Sequence, residues 1–207
     1  MLDDHQIAFT IADVSGKGIP ASLFMVISKT ILKNAALSGY KSAISVSKLI
    51  EHTNHQLCEN NEEMMFVTAI FGMLNTKTGV FSYVNAGHNY PLVGRTANGT
   101  TKWEYLNDKK KLFALGVMDD ISYEENQLTL MPGDVLFLYT DGVTEAMSED
   151  GQLYSNQRLA DTLNHVGTPD ISSKDLISAI RNDISQHVGT AEQSDDITMM
   201  SIRYLSP

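Results

Sequence analysis

The chain has 207 residues, 43% of them hydrophobic, enough for one sizeable core, and it reads as a single domain over 1–207. A formal net charge of -10 argues against a nucleic-acid or anionic-membrane surface, since binding there needs clustered Lys and Arg; the nearest basic run, Lys109-Lys110-Lys111, is short and reads as a solvated loop. The single cysteine, Cys58, excludes an internal disulfide and fits a reducing, cytoplasmic setting, and no apolar run is long enough to span a bilayer.

Residues 7–12, Ile-Ala-Phe-Thr-Ile-Ala, form a predicted strand that places Asp13 where strand becomes loop. Gly16 and Gly18 then turn the chain into a helix with Pro20 in its first turn. The Gly-Lys-Gly is not a nucleotide-binding P-loop, which needs four residues between its glycines and a Ser or Thr after the lysine. Lys17 and the helix N-terminus are candidates for steadying an anion, with a solvated loop lysine as the plainer reading.

From Ile19 to Leu37 the pattern is helical and apolar on most sides (Leu23, Phe24, Val26, Ile27, Ile31, Leu32), which predicts a buried helix stopped by Gly39. A second helix, about Ser42 to Cys58, places Val46, Leu49, Ile50, Thr53 and Leu57 on one face. His52, His55 and Cys58 fan over the opposite face and read as surface positions, with no fourth residue for a structural zinc.

The middle of the chain reads as a meander of hairpins: Met65 to Leu74, a turn through Gly79, Val80 to Ala86, then Leu92-Val93 and Lys102 to Leu106 around Asn98-Gly99. His88, in a tight turn after the third strand, reads as held by backbone groups, or as a neighbour of an active site. Strands at about Ser122 to Leu130 and Val135 to Thr140 follow. The second runs into Asp141-Gly142 and so repeats the strand-then-acid theme of Asp13. Ser148-Glu149-Asp150-Gly151 lacks the alternating acids of an EF-hand and reads as a turn, which leaves a calcium-stabilised structural domain as a remote option. Helices near Gln157 to Asn164 and Lys174 to His187 precede a last strand, Ile197 to Tyr204, with Asp195 and Asp196 just before it.

If the last strand is antiparallel to the other two, all three acidic positions come to one edge of one sheet. Carboxylates gathered there repel, and an all-oxygen set without Cys or His selects Mg²⁺ or Mn²⁺. Strand-rich hairpins with a few helices make the class α+β.

The sequence resembles the metal-dependent serine/threonine protein phosphatases (the PPM family, protein phosphatase type 2C), in the bacterial branch that includes stage II sporulation protein E and stress-response phosphatases acting on anti-sigma-factor antagonists. The resemblance rests on Asp13-Val14-Ser15-Gly16-Lys17-Gly18 with Pro20-Ala21, Met65-Phe66-Val67-Thr68, Asn85-Ala86-Gly87-His88-Asn89, Thr140-Asp141-Gly142-Val143-Thr144-Glu145-Ala146 and Asp195-Asp196-Ile197-Thr198, in that order. It implies a central β-sandwich of two mainly antiparallel sheets flanked by helices. It also implies two Mn²⁺ or Mg²⁺ ions in the complete domain, bridged by Asp13, one of them also bound by the Val14 carbonyl and the other held by Asp141 and by Asp195 or Asp196. The implied activity is hydrolysis of phosphoserine or phosphothreonine in a bacterial signalling protein by a metal-activated water, with a sensory or receiver domain upstream. Thr144 and Glu145 are expected to support the loop of Asp141. The branch carries a further acidic segment before the strand of Asp13, where this chain has the turn-like Met1-Leu2-Asp3-Asp4, so the first acidic contribution is expected to be absent. That departure keeps open a catalytically impaired, partner-binding module of the same fold.

Overall fold

The computed structural model describes residues 1–59, 61–106 and 112–205, so the Lys109-Lys110-Lys111 run lies outside the described residues. The chain forms two compact units, the described residues of 1–88 and 109–129 making one and those of 89–108 and 130–206 the other.

In the first unit, strand β1 (Gln6–Val14) leads into helix α1 (Gly18–Lys41), followed by helix α2 (Val46–Cys58) and strands β2 (Val67–Asn75), β3 (Val80–Ala86) and β6 (Asn126–Thr129). The strands form an antiparallel sheet in the order β1-β2-β3-β6. Alternation assigns the faces: Val67, Ala69 and Phe71 of β2, with Val84 and Ala86 of β3, share one core cluster with the buried stripe Val46, Leu49, Ile50 and Leu57 of α2. The α2 face is as expected, Thr53 included, with buried Asn54 added to it, and Ser45 caps the helix by accepting the Lys48 N–H at 3.3 Å.

Helix α1 departs from its sequence reading twice. It does not stop at Gly39 but continues to Lys41, because Gly39 is a packing position where a Cβ would meet Leu49 Cδ1 at 3.0 Å. Its fully buried residues are the narrow, mostly small stripe Ser28, Leu32, Ala36 and Gly39, which faces α2 and β1, while Ile19, Leu23, Val26 and Ile27 stand exposed. The helix is therefore not apolar and buried on most sides. Near the start of the chain, Asp3 Oδ1 accepts the His5 and Gln6 N–H groups at 2.7 Å each, and its other oxygen accepts the Tyr40 hydroxyl, so its carboxylate is committed to a turn.

The second unit contains strands β4 (Leu92–Ala97), β5 (Thr100–Tyr105), β7 (Val135–Tyr139) and β8 (Met199–Arg203), in the antiparallel order β5-β4-β7-β8. Asn98 and Gly99, at φ 52° and 75°, supply the two left-handed residues that the tight β4–β5 hairpin requires. Helices α4 (Ser155–Val166) and α5 (Ser173–Val188) lay Leu159, Leu163, Leu176, Ile180 and Ile184 over Val135, Phe137 and Tyr139. Consecutive strands β3 and β4 thus lie in different sheets, and the central strands are two separate hairpins rather than one meander. Strand β6 is shorter than predicted, since only Asn126–Thr129 pairs with β3.

Two antiparallel four-stranded sheets, each with its own helices, bear out the α+β assignment. Among the described residues no helix is long and apolar enough to cross a membrane.

Candidate metal centre

Asp13 and Val14 close β1, paired with Thr68 and Val67 of β2. The Thr68 hydroxyl lies 3.4 Å from the Asp13 carbonyl and 2.8 Å from His88 Nδ1. His88 is buried in its turn, its N–H donating to Asn85 Oδ1 at 2.8 Å and its carbonyl accepting from Asn85 Nδ2 at 3.0 Å. The Asn85 side chain thus holds the His88 backbone, and the imidazole meets the Thr68 hydroxyl rather than backbone groups, which corrects the reading of a histidine satisfied by the backbone. Beyond Val14, the Ser15 N–H donates to the Phe66 carbonyl, and the Phe66 N–H returns to Ser15 Oγ, both at 2.9 Å. Gly16 and Gly18, at φ 82° and 78°, then turn the chain into α1, with exposed Lys17 at its N-cap.

Asp141 and Asp195 meet at one edge of the other sheet. Strand β7 ends and β8 begins with Tyr139 opposite Met199, so the residues after one strand face those before the other. Thr140 locks this end. Its N–H donates to the Thr198 carbonyl at 3.1 Å, its hydroxyl donates to the Asp196 carbonyl at 3.0 Å, and it accepts the Thr198 N–H at 3.0 Å. Asp141 opens a single helical turn, α3 (Asp141–Thr144), and its carbonyl accepts from the Thr144 hydroxyl at 3.2 Å and the Glu145 N–H at 2.8 Å. Gly142 is forced by contact: a Cβ there would lie 2.3 Å from the Asp196 carbonyl oxygen.

One carboxylate oxygen each of Asp141 and Asp195 lie within 4.8 Å of one another, and the Asp196 carboxylate is not part of this group. Asp196 contributes backbone instead, through its carbonyl and through the N–H it donates to Asp195 Oδ1 at 2.8 Å. Asp141 Oδ1 is buried without a hydrogen-bond partner among the described residues. An orphaned oxygen of this kind costs about 1–3 kcal/mol of desolvation, more when charged, and a hard cation offsets that cost. The donor set and the orphaned atom therefore fit a divalent ion coordinated by oxygen.

Asp13 ends a strand of the β1-β2-β3-β6 sheet, whereas Asp141 and Asp195 border β7 and β8. The expectation of three acids on one edge of one sheet is corrected: strand pairing between distant segments, invisible to local pattern, splits them between two sheets. His52, His55 and Cys58 belong to no metal-holding group among the described residues, and His55 Nδ1 instead bonds Asp119 at 2.9 Å. Glu149 accepts from the Thr190 N–H and hydroxyl at 2.7 and 2.6 Å, which ties down the turn once compared with a calcium loop. Sequence reasoning missed Thr140 as the organising residue, although its position between the strand and Asp141 is the signal that would have found it.

Solved structures fix the class of this fold. The SiaA-PP2C domain of Pseudomonas aeruginosa superposes with a TM-score of 0.80 at 18% identity, covering 98% of this chain and 77% of that one. RsbX, in a crystal structure in complex with magnesium, superposes with a TM-score of 0.63 at 17% identity over 96% of this chain and 81% of that one. The chain has the fold of a PP2C-type phosphatase domain. It belongs to the stage II sporulation protein E (SpoIIE) family, whose profile matches residues 3–205. Among curated relatives, the phosphoserine phosphatase RsbU of Bacillus subtilis is 32% identical over 151 residues, 73% of this chain and 43% of that protein. The chain spans less than half the length of the curated relatives it matches, 34% to 45%.

Proposed function

We propose that this chain forms the catalytic domain of a metal-dependent phosphoserine/phosphothreonine protein phosphatase in bacterial signalling, its two units working as one PPM-type domain on a phosphorylated anti-sigma-factor antagonist. The observation that carries the reading is Asp141 Oδ1, buried beside the Asp195 carboxylate without a hydrogen-bond partner among the described residues. Asp13, the Val14 carbonyl, Asp141 and Asp195 would hold Mn²⁺ or Mg²⁺, two ions in the complete domain. When bound, the ions supply an acidified water and neutralise charge on the phosphate oxygens.

The protein's own part is to hold the acids still. Thr140 and Gly142 press the β7 end against the Asp195–Thr198 segment, so that Asp141 and Asp195 lose little freedom when they are called on to bind. The Thr68 hydroxyl steadies the last backbone turn of β1 at Asp13. Similarity to RsbU, named a phosphoserine phosphatase, supports the substrate chemistry, and the magnesium complex of RsbX supports the ion class. The match to less than half of each curated relative supports a further sensory or receiver region in the parent protein, and the single cysteine, Cys58, supports a reducing, cytoplasmic setting.

The test is Mn²⁺-dependent release of phosphate from a serine-phosphorylated anti-sigma-factor antagonist. Asp13→Ala and Asp141→Ala are each expected to lower turnover by at least about 100-fold, on the scale of losing a principal charge-stabilising group. Undiminished turnover in either variant refutes the assignment.

A further inference from the structure

The first unit exposes an apolar rim beside β1 that its own core does not use. Ile19 and Leu23 of α1, Met64, Phe66, Val117 and Met118 are all exposed, Met64 to 84% and Ile19 to 76%. Single exposed apolar residues are ordinary, but a contiguous group is not. These belong to three segments locked together. Asn61 accepts the Met65 N–H at 2.9 Å and donates to the Met65 and Gly116 carbonyls at 2.6 and 3.0 Å. Buried Asn54 accepts the Gly116 N–H and donates to the Met118 carbonyl, both at 2.9 Å. A Cβ on Gly116 would sit 3.4 Å from Phe24 of α1, and one on Gly16 would sit 3.6 Å from Met65 Cε. Two asparagines thus satisfy the backbone from below and leave apolar side chains pointing out, a surface ordered before anything binds it.

The rim continues from the loop that carries Asp13. Phe66 exchanges two hydrogen bonds with Ser15, two residues after Asp13, and its neighbours Val67 and Thr68 pair with Val14 and Asp13. This adjacency puts the rim within reach of a protein that brings a phosphate to Asp13. A phosphoserine carries about -1.5 to -2 charge and approaches a chain of net charge -10, so long-range attraction does not assemble the complex. Short-range burial of apolar area has to supply the affinity. A bare phosphoamino acid has no such area to offer, and a folded protein has.

We infer that this rim is the docking surface for a folded phosphoprotein substrate, through apolar side chains beside its phosphoserine. The inference rests on the phosphatase reading above and deepens it. The experiment compares the unsubstituted chain with the double variant Met64→Asp/Val117→Asp on a serine-phosphorylated anti-sigma-factor antagonist and on p-nitrophenyl phosphate, with Mn²⁺. Met64 has φ 49°, a region Asp tolerates better than Met, and Val117 is exposed, so neither change disturbs packing. The ratio of kcat/KM for the protein to that for p-nitrophenyl phosphate is expected to fall at least tenfold, chiefly through KM. The exposed Met131→Asp, in the other unit, is expected to leave the ratio unchanged. An unchanged ratio in the double variant overturns the docking surface. So does conversion of a sedimenting dimer to a monomer by the double variant, which assigns the rim to a second copy of the chain. Calorimetric binding of the phosphoprotein separates the two readings: rim-dependent binding without hydrolysis sinks the phosphatase and leaves the docking surface, whereas hydrolysis without rim dependence does the reverse.

Discussion

At the scale of single residues, the candidate site is built by contacts that leave no room. Gly142 is the tightest of them, because a methyl group there would lie 2.3 Å from the Asp196 carbonyl oxygen, far inside van der Waals contact. Gly142→Ala must displace the Asp195-Asp196 segment, whose position sets the distance between Asp195 and Asp141. Overpacking of this kind costs about 1–3 kcal/mol, which urea denaturation reads directly. The same substitution is expected to weaken Mn²⁺ binding in calorimetry, while Gly133→Ala, strained by its φ of 95° but with no described atom within 4 Å of the added Cβ, leaves binding unchanged. Equal Mn²⁺ affinity in Gly142→Ala and the unsubstituted chain would show that the carbonyl contact does not position the acids. This contact was not legible in the sequence. The dipeptide Asp141-Gly142 announces a turn, but the atom that excludes a side chain belongs to a segment more than fifty positions away.

At the scale of elements, α4 and α5 are joined by a polar clamp as well as by their leucines and isoleucines. Asp183 of α5 accepts from the Tyr154 hydroxyl at 2.6 Å, the Thr162 hydroxyl at 3.0 Å, and Arg158 Nε and Nη2 at 3.2 Å each. The Arg158 guanidinium also lies 5.2 Å from the centroid of the Tyr154 ring. Hydrogen bonding from Arg158, reinforced by the two hydroxyls against a smaller effect of burial, holds the Asp183 carboxyl below its usual range. Since the folded value is the lower one, the clamp contributes fully above the unfolded value of 3.8, and its contribution is lost as pH falls through the depressed folded value. Arg158 is 42% exposed, so screening limits the effect to about 0.2–1 kcal/mol. Asp183→Asn is expected to be less stable than the unsubstituted chain near neutral pH, with the gap closing below 3.8 in urea titrations. A gap that persists unchanged in acid would assign the loss to packing rather than to charge. Helices such as α4 and α5 were legible because their apolar spacing and their burial agree. α1 was not, since a count of apolar residues cannot separate a face covered by its own fold from one left open, and Ile19, Leu23, Val26 and Ile27 belong to the second kind.

At the scale of the whole molecule, the local signals sufficed for strands, hairpins and the acidic motifs, and failed where pairing is non-local. Asp141 and Asp195 meet because β7 and β8 are antiparallel, which the reversed order of acid and strand in the two motifs already implied. That Asp13 ends a strand of another sheet had no such mark, since nothing in residues 7–14 names β2 as a partner. Composition, by contrast, gives a whole-molecule property at once: the net charge of -10 sets the field that a phosphorylated substrate meets on approach. Raising ionic strength from about 0.01 to about 0.15 M shortens the Debye length from about 30 to about 8 Å, which removes most of that repulsion before contact. The association-limited kcat/KM for an acidic phosphoprotein is therefore expected to rise by about two- to fivefold over this range, whereas kcat stays level because the groups at the site are closer together than the screening distance. The check is a set of progress curves at low substrate across a salt series with Mn²⁺ held constant, alongside p-nitrophenyl phosphate, whose smaller charge predicts a shallower slope. A fall in kcat/KM with salt would mean that a local positive field, from bound ions and Lys17, outweighs the acidic surface during encounter.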